Sequence, residues 1–224
     1  INFQHRMHPD ISSFSRKEFY DSEALIDANT LQLRDESFPF NYRSGKSRKT
    51  WIDVPAELRP YTVNREEVNA IKNELKRFIE YSRNKPPSDP RRDNPTQWEI
   101  AVLSPYQRQR KALVAMVQEL TGLEHSMRFN LAEIEKPAPI TIIVSTTDRF
   151  QGQEADIVFI SLRNSGKIGF LDSPNRMNVA ITRAREWRVI VGNWDYFARD
   201  KAMGDPMLRS LAQTHSKHKQ ARGK

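Results

Sequence analysis

Apolar residues recur with two different periods along this chain. After Asn64, the residues Val68, Ile71, Leu75, Phe78 and Ile79 fall at three- and four-residue spacings, which marks one face of a helix. Asn64 with Glu67 three residues on reads as a capping box that starts this helix, and Pro86, Pro87 and Pro90 stop it near Asn84. The same period returns in Leu113, Met116, Val117 and Leu120, predicting a helix from about Tyr106 closed by Gly122. A third helix is predicted from Pro174, with proline in its first turn, to about Arg185. Between these lie short apolar runs rich in β-branched residues: TWIDV (50–54), EIAVL (99–103), ITIIVS (140–145), IVFISL (157–162) and WRVIVGN (187–193), with 1–4 as one more. Runs that are apolar at successive positions are covered on both faces, as in buried parallel strands. Strands alternating with helices predict an α/β fold, a mostly parallel sheet with helices on both faces.

The pattern weakens over residues 21–48, a polar surface excursion within one domain of residues 1–213. The end, 214–224, holds four Lys or Arg in its last ten residues and no acid, which fits a solvated tail or a phosphate-binding arm. No internal repeat is present.

Over all 224 residues, 36 Lys and Arg face 28 Asp and Glu, a net charge of +8 that suits a polyanionic partner without establishing one. The absence of cysteine excludes disulfides, thiol catalysis and thiolate zinc sites. No apolar run approaches the roughly 20 residues of a membrane span, and INFQHRMHPD lacks the plan of a signal peptide. A soluble, intracellular protein, cytoplasmic or nuclear and without a membrane partner, is the expectation. The chain opens without an initiator Met, as a fragment of something longer would.

Ligands of open parallel sheets collect at the carboxyl ends of strands. Four polar clusters fall at strand ends or adjoining helix starts: QHRMHP (4–9), SPYQRQ (104–109), STTDRFQGQE (145–154) and NRMNVAITRAR (175–185). Gly152 allows a tight turn or a close ligand approach, and Glu154 can accept hydrogen bonds from sugar hydroxyls; an ordinary turn with a solvated Glu reads equally well. On the last cluster Met177, Ala180, Ile181 and Ala184 can pack inward while Asn175, Arg176, Asn178, Thr182, Arg183 and Arg185 look elsewhere. Arginine suits phosphate because its planar fork donates parallel hydrogen bonds and stays charged. Arg6 and Arg183, far apart in sequence, can therefore converge on the terminal phosphate of a nucleotide.

As a set, the four clusters resemble the second RecA-like motor domain of superfamily 1 helicases, in particular the nonsense-mediated-decay helicase and senataxin-like group. The family's strings YRMHP, SPYxxQ, VDxFQGxE and NVAxTRA match them in order, from residue 1 to about Asn193. The resemblance implies a RecA-like sheet of the P-loop NTPase type and an ATP-dependent helicase or translocase, of which this chain would be the C-terminal motor domain. It implies Arg6 and Arg183 on the γ-phosphate, and Gln4, His5, Gly152, Gln153 and Glu154 around the nucleotide with Glu154 near the ribose. Gln151 would line the same turn. Ser104, Pro105, Tyr106, Ser145 and Thr146 would face single-stranded RNA or DNA, with Asp148 coupling the two surfaces and movement 5′ to 3′.

Two departures matter. His5 stands where the family has Tyr, as a smaller stacking face or as a structural histidine ending a strand. The chain also has no phosphate-cradling loop of its own: RSGKSR (43–48) lacks its first Gly and a lead-in strand, and Asp35 and Glu36 follow LQL, too short and polar for a buried Mg²⁺-site strand. ATP with Mg²⁺ is therefore expected at a cleft shared with an absent first RecA-like domain, which supplies the metal ligands; this chain supplies none and alone should hydrolyse nothing. The rival readings are a non-catalytic nucleic-acid-binding or docking module of helicase-like fold, and a nuclease using Asp156, Asp172 and Asp195 with a metal.

Overall fold

The structure is a computed structural model and describes residues 3–20, 25–31, 42, 47–55, 57, 59, 62–83, 85, 87, 97–133, 139–163, 174–198 and 206–219. In chain order its elements are β1 (Phe3–Gln4), α1 (Pro9–Phe19), β2 (Ile26–Asp27), β3 (Lys49–Asp53), α2 (Arg65–Ser82), β4 (Trp98–Ser104) and α3 (Gln107–Thr121). There follow β5 (Arg128–Asn130), a 3₁₀ turn (Leu131–Glu133), β6 (Ile140–Thr146), β7 (Ala155–Ser161), α4 (Pro174–Ile181), β8 (Ala184–Gly192), α5 (Trp194–Ala198), α6 (Pro206–Gln213) and β9 (Ser216–Lys219).

Seven strands form one sheet in the order β5-β6-β4-β7-β8-β3-β9, while β1 and β2 pair separately. Every neighbouring pair in the large sheet is parallel except β5 against β6. Alternation along each central strand splits the core in two. Ala101, Leu103, Val158, Ile160 and Ile190 face α1, α4, α5 and α6, meeting Ile11, Phe14, Met177, Ile181, Phe197 and Leu208. Ile100, Val102, Ile157, Phe159 and Val189 face α2 and α3, meeting Ile71, Leu75, Phe78, Leu113 and Val117. Both faces of β4, β6 and β7 are thus dry, which is why those runs read as continuously apolar. Among the described residues no helix is long and apolar enough to cross a membrane.

Asn64 caps α2 as expected, its side chain accepting from the N–H groups of Glu66 (3.1 Å) and Glu67 (3.2 Å). The box is not closed by Glu67: the Asn64 N–H donates to Gln109 Oε1 at 2.9 Å, and Glu67 meets the Asn64 side-chain amide instead. α3 ends on Gly122 at φ 73, whose N–H returns to Gln118 O at 2.8 Å. Three differences from the sequence reading stand out. α4 stops at Ile181 rather than Arg185, because residues 183–185 are drawn into pairing with β7 (Ala155↔Ala184, with Ala155 N donating to Arg183 O at 3.0 Å). α1 was not foreseen, because Ser12 and Ser15 are buried on its inner side and blur the apolar period of Ile11 and Phe14. Residues 216–219, placed by the sequence in a solvated tail, pair in parallel with β3 as an edge strand. Within the expected excursion, 25–31 form β2 and its flanks, and Gly45, Lys46, Asp35 and Glu36 lie outside the described residues.

Because six strands run parallel, the sheet has one amino edge and one carboxyl edge. The connection from β6 to β7, residues 147–154, leaves Thr146 at the carboxyl edge and must reach Ala155 at the amino edge. That single segment therefore links the two edges.

Candidate active site

At the amino edge, a tight turn presents Arg6. Gln4 holds it from beneath: its Oε1 accepts from the N–H of Arg6 (3.1 Å) and Met7 (2.9 Å), and its Nε2 donates to Met7 O (2.9 Å) and to Asp27. Both ends of the Gln4 amide are used inside the chain, so this side chain shapes the turn. His8 then caps α1, its Nδ1 accepting from Asp10 N at 3.1 Å, and its own N–H donates to Arg185 O at 2.9 Å. The turn is thereby fastened to the first residues of β8.

From the end of the crossover just before β7 comes Glu154, from the α4–β8 junction Arg183, and from the start of β8 Arg185. The Glu154 carboxylate lies between two arginines: Arg6 Nε donates to Oε2, while Arg185 reaches Oε1 through Nε (2.8 Å) and Nη2 (2.7 Å). Arg185 also donates to Glu99 Oε2 at 2.9 Å and to Asp156 Oδ1 at 3.3 Å. Burial opposes ionisation of Glu154, yet the bonds and charges of Arg6 and Arg185 outweigh it and hold the carboxyl below its usual range. Burial likewise opposes the Arg185 charge, but Asp156 and Glu154 raise its affinity for the proton above the ordinary arginine value.

Arg183 is different. Its Nε donates to Val179 O at 2.7 Å and its Nη1 to Gln153 O at 3.4 Å, and among the described residues it makes no ion pair. Burial and then repulsion from Arg6 lower its proton affinity, against the attraction of Glu154. A half-buried guanidinium facing another guanidinium is a ready-made site for an anion.

Gly152 turns the chain at φ 84, with no atom within 4 Å of where a side chain would begin, so the glycine serves the turn rather than a close approach by the chain. Phe150 anchors that turn in the core, leaving Gln151 and Gln153 exposed and Glu154 half-buried. His5 is exposed beside the turn.

The expectation that all four clusters gather at the carboxyl edge is corrected. Arg6, Glu154 and Arg183 meet at the amino edge, whereas Ser104, Pro105, Tyr106, Ser145 and Thr146 occupy the carboxyl edge, with Ser104 opposite Thr146 in the ladder. The crossover 147–154 is the reason: it begins in one cluster and ends in the other, with Asp148 exposed near its first end. Ser104, Pro105, Ser145 and Thr146 are buried, so of the five only Tyr106 offers partly open side-chain surface. Sequence reasoning missed Glu99 and Asp156 as partners of Arg185. A strand beginning at Ala184 would have revealed them, since it sets Arg185 beside the starts of β7 and β4. Asp156 is consumed in that ion pair and Asp195 sits in the first turn of α5 after the carboxyl end of β8, so these two acids lie on opposite edges; Asp172 falls outside the described residues.

A family profile described as "AAA domain" matches residues 1–195, and the chain belongs to that family. Helicase sen1 of Schizosaccharomyces pombe is 32% identical over 96% of this chain, which covers 12% of that relative. The regulator of nonsense transcripts 1 homolog of Neurospora crassa is 29% identical over 86% of this chain and 16% of its own length. ATP-dependent helicase NAM7 of Saccharomyces cerevisiae is 28% identical over 89% of this chain and 19% of its own. The chain thus spans between about an eighth and a fifth of the length of these relatives. Its fold matches the crystal structure of the C-terminal domain of a possible DNA helicase from Lactobacillus plantarum, with a TM-score of 0.52 at 11% identity over 96% of this chain and 98% of that one. It is a RecA-like helicase domain of superfamily 1, in the nonsense-mediated-decay and senataxin-like group.

Proposed function

We propose that this chain is the second motor domain of an ATP-dependent nucleic-acid helicase or translocase, and that Arg6 and Arg183 reach the γ-phosphate of ATP bound against a first RecA-like domain. The observation that carries this reading is the convergence of two guanidinium groups from distant parts of the chain, one of them without a carboxylate partner among the described residues. The donor set fits a triphosphate end: Arg183 has fork donors directed to main-chain carbonyls that a phosphate oxygen can replace, and Glu154 keeps Arg6 oriented until one arrives. ATP supplies the free energy of phosphoryl transfer. The arginines neutralise charge on the transferred group, a contribution worth about 10³ to 10⁵ in rate for such residues.

In this reading Mg²⁺ would be held by the first domain, together with the phosphate-cradling loop. Exposed Gln153 and half-buried Glu154 would flank the ribose, and His5 the base. Single-stranded RNA or DNA would lie along the carboxyl edge at Tyr106, helped by the chain's net charge of +8. The crossover 147–154 then transmits closure of the nucleotide cleft to the strand groove. Arg183→Ala in the full-length protein is expected to abolish strand-stimulated ATP hydrolysis while single-strand affinity at low salt stays within about two-fold. Unchanged turnover removes Arg183 from the site.

A further inference from the structure

The carboxyl edge holds a buried polar cluster that the nucleotide site leaves unused. Glu67, fully buried in the first turn of α2, accepts from Ser161 Oγ at 2.5 Å, from Asn64 Nδ2 at 3.2 Å, and from the Arg163 N–H through both oxygens at 2.9 and 3.0 Å. Gln109, also fully buried, ties the same point to α3: its Oε1 accepts from Asn64 N (2.9 Å), and its Nε2 donates to Asn64 O and Ser161 Oγ (both 3.0 Å). One carboxylate therefore joins the start of α2, the first turns of α3 and the end of β7.

Arg163 follows β7 with φ 44, and among the described residues it is the one non-glycine in the left-handed region. Arginine adopts that conformation only when its surroundings impose it. Here the imposing group is Glu67, which takes the Arg163 N–H between its two oxygens. The backbone so set sends the guanidinium back over the loop before α2, where it donates to Thr62 O (2.6 Å) and Arg59 O (2.8 Å). The same guanidinium stands 5.9 Å above the centre of the Tyr106 ring. One face of Tyr106 is thus occupied by a fixed cation, within the range of a cation–π contact.

We propose that Glu67 and Arg163 are positioning residues for a base-stacking site at Tyr106: Glu67 fixes the Arg163 backbone, and Arg163 backs the ring so that its other face receives a base of single-stranded nucleic acid. This rests on the reading of the carboxyl edge as a strand groove. Neither residue touches the strand. Their contribution is to hold an aromatic platform still, which lowers the ordering cost of stacking. A cation behind the ring is also the arrangement that a loose, solvent-mobile tyrosine lacks.

The test uses the full-length protein and a single-stranded oligonucleotide carrying 2-aminopurine, whose fluorescence reports stacking, at fixed low salt. Tyr106→Ala is expected to remove the stacking quench and to weaken binding about five-fold or more. Arg163→Gly relieves the left-handed strain and keeps the N–H that Glu67 accepts, so it keeps the fold while removing the guanidinium. It should lose most of the same quench, with Arg163→Lys intermediate. In the Tyr106→Ala background, Arg163→Gly should cause no further loss, because the two act as one unit. Glu67→Ala should reproduce the Arg163→Gly result; if it fails to fold, Arg163→Gly still decides. Full quench in Arg163→Gly, or an additive loss in the double variant, overturns the proposal while leaving the motor reading intact. Absence of strand binding by the unaltered protein overturns both.

Discussion

Replacing Glu67 by glutamine removes a carboxyl that burial pushes up from an ordinary value of 4.5 to about 7, against the opposing bonds from Ser161 and Arg163. That gap is worth roughly 3 kcal/mol of pH-dependent stability. The sign follows from where the proton is held more tightly. Below about pH 4.5 the carboxyl is protonated in both folded and unfolded chains, and its favourable contribution is complete. Between the unfolded value and about 7 the unfolded chain has released the proton while the folded chain retains it, so stability falls as pH rises. Above 7 the loss levels off. Glutamine has the same shape and does not titrate. Urea unfolding of the 224-residue chain at several pH values from 5 to 8 therefore isolates the effect as the difference between the two proteins. The unaltered chain should lose about 2.5 kcal/mol relative to Glu67→Gln across that range, most of it below pH 7, the remainder having been lost already below pH 5. A difference that stays flat, or that grows in the opposite direction, refutes the account of Glu67 as a desolvated acid.

Three further outcomes follow from the amino-edge geometry. Glu154→Gln should lower Tm at neutral pH, and the deficit should shrink as pH falls through the carboxylate range, because the stability from a depressed carboxyl is present above its unfolded value and lost in acid. Thermal melts at pH 7 and pH 3 check this. Arg188 is fully buried, its proton affinity pushed down to about 9 by desolvation, and it donates to Ile181 O at 2.8 Å at the end of α4. Arg188→Met should leave Tm unchanged or higher, since a buried charge with no carboxylate in contact among the described residues, drawn only by the more distant Asp10, costs more in desolvation than its bonds return. It should nonetheless lower strand-stimulated ATP hydrolysis, because the carbonyl that Arg188 holds lies two residues before Arg183. Gly152→Ala, at φ 84 with open space around it, should cost about 1 kcal/mol through backbone strain alone. A larger loss in urea unfolding would mean that the turn is packed against something.

The central strands and the two helices on one face were legible because their apolar residues are buried on a fixed period. Ile71, Leu75 and Phe78, or Ile157 and Phe159, could hardly be arranged otherwise. The helix at Pro9–Phe19 was not, since the buried Ser12 and Ser15 carry no hydrophobic signal, and the bond from Ser12 Oγ back to Pro9 O appears only in three dimensions. The edge strand at Ser216–Lys219 hid for a related reason: a basic sequence reads as solvated, and only its pairing with β3 makes it a strand. At the candidate site, Arg6, Glu154 and Arg183 were singled out from spelling alone; Arg6 pairs with Glu154, and the charges of both act on Arg183. Arg185 was seen but assigned to a helix, because the pairing of Ala184 with Ala155 that ends the helix is a long-range event. The separation of the two clusters to opposite edges was likewise hidden, for nothing local in TTDRFQGQE says that it must travel the height of the sheet.

Affinity for ADP with aluminium fluoride, compared with ADP alone, tests the convergence of Arg6 and Arg183 most directly, measured in the full-length protein and in Arg6→Ala and Arg183→Ala. The unaltered protein should favour the transition-state mimic strongly, and each variant should lose most of that preference while ADP affinity barely changes. If either variant keeps the full preference, that arginine does not reach the transferred phosphate and the motor assignment of this site fails.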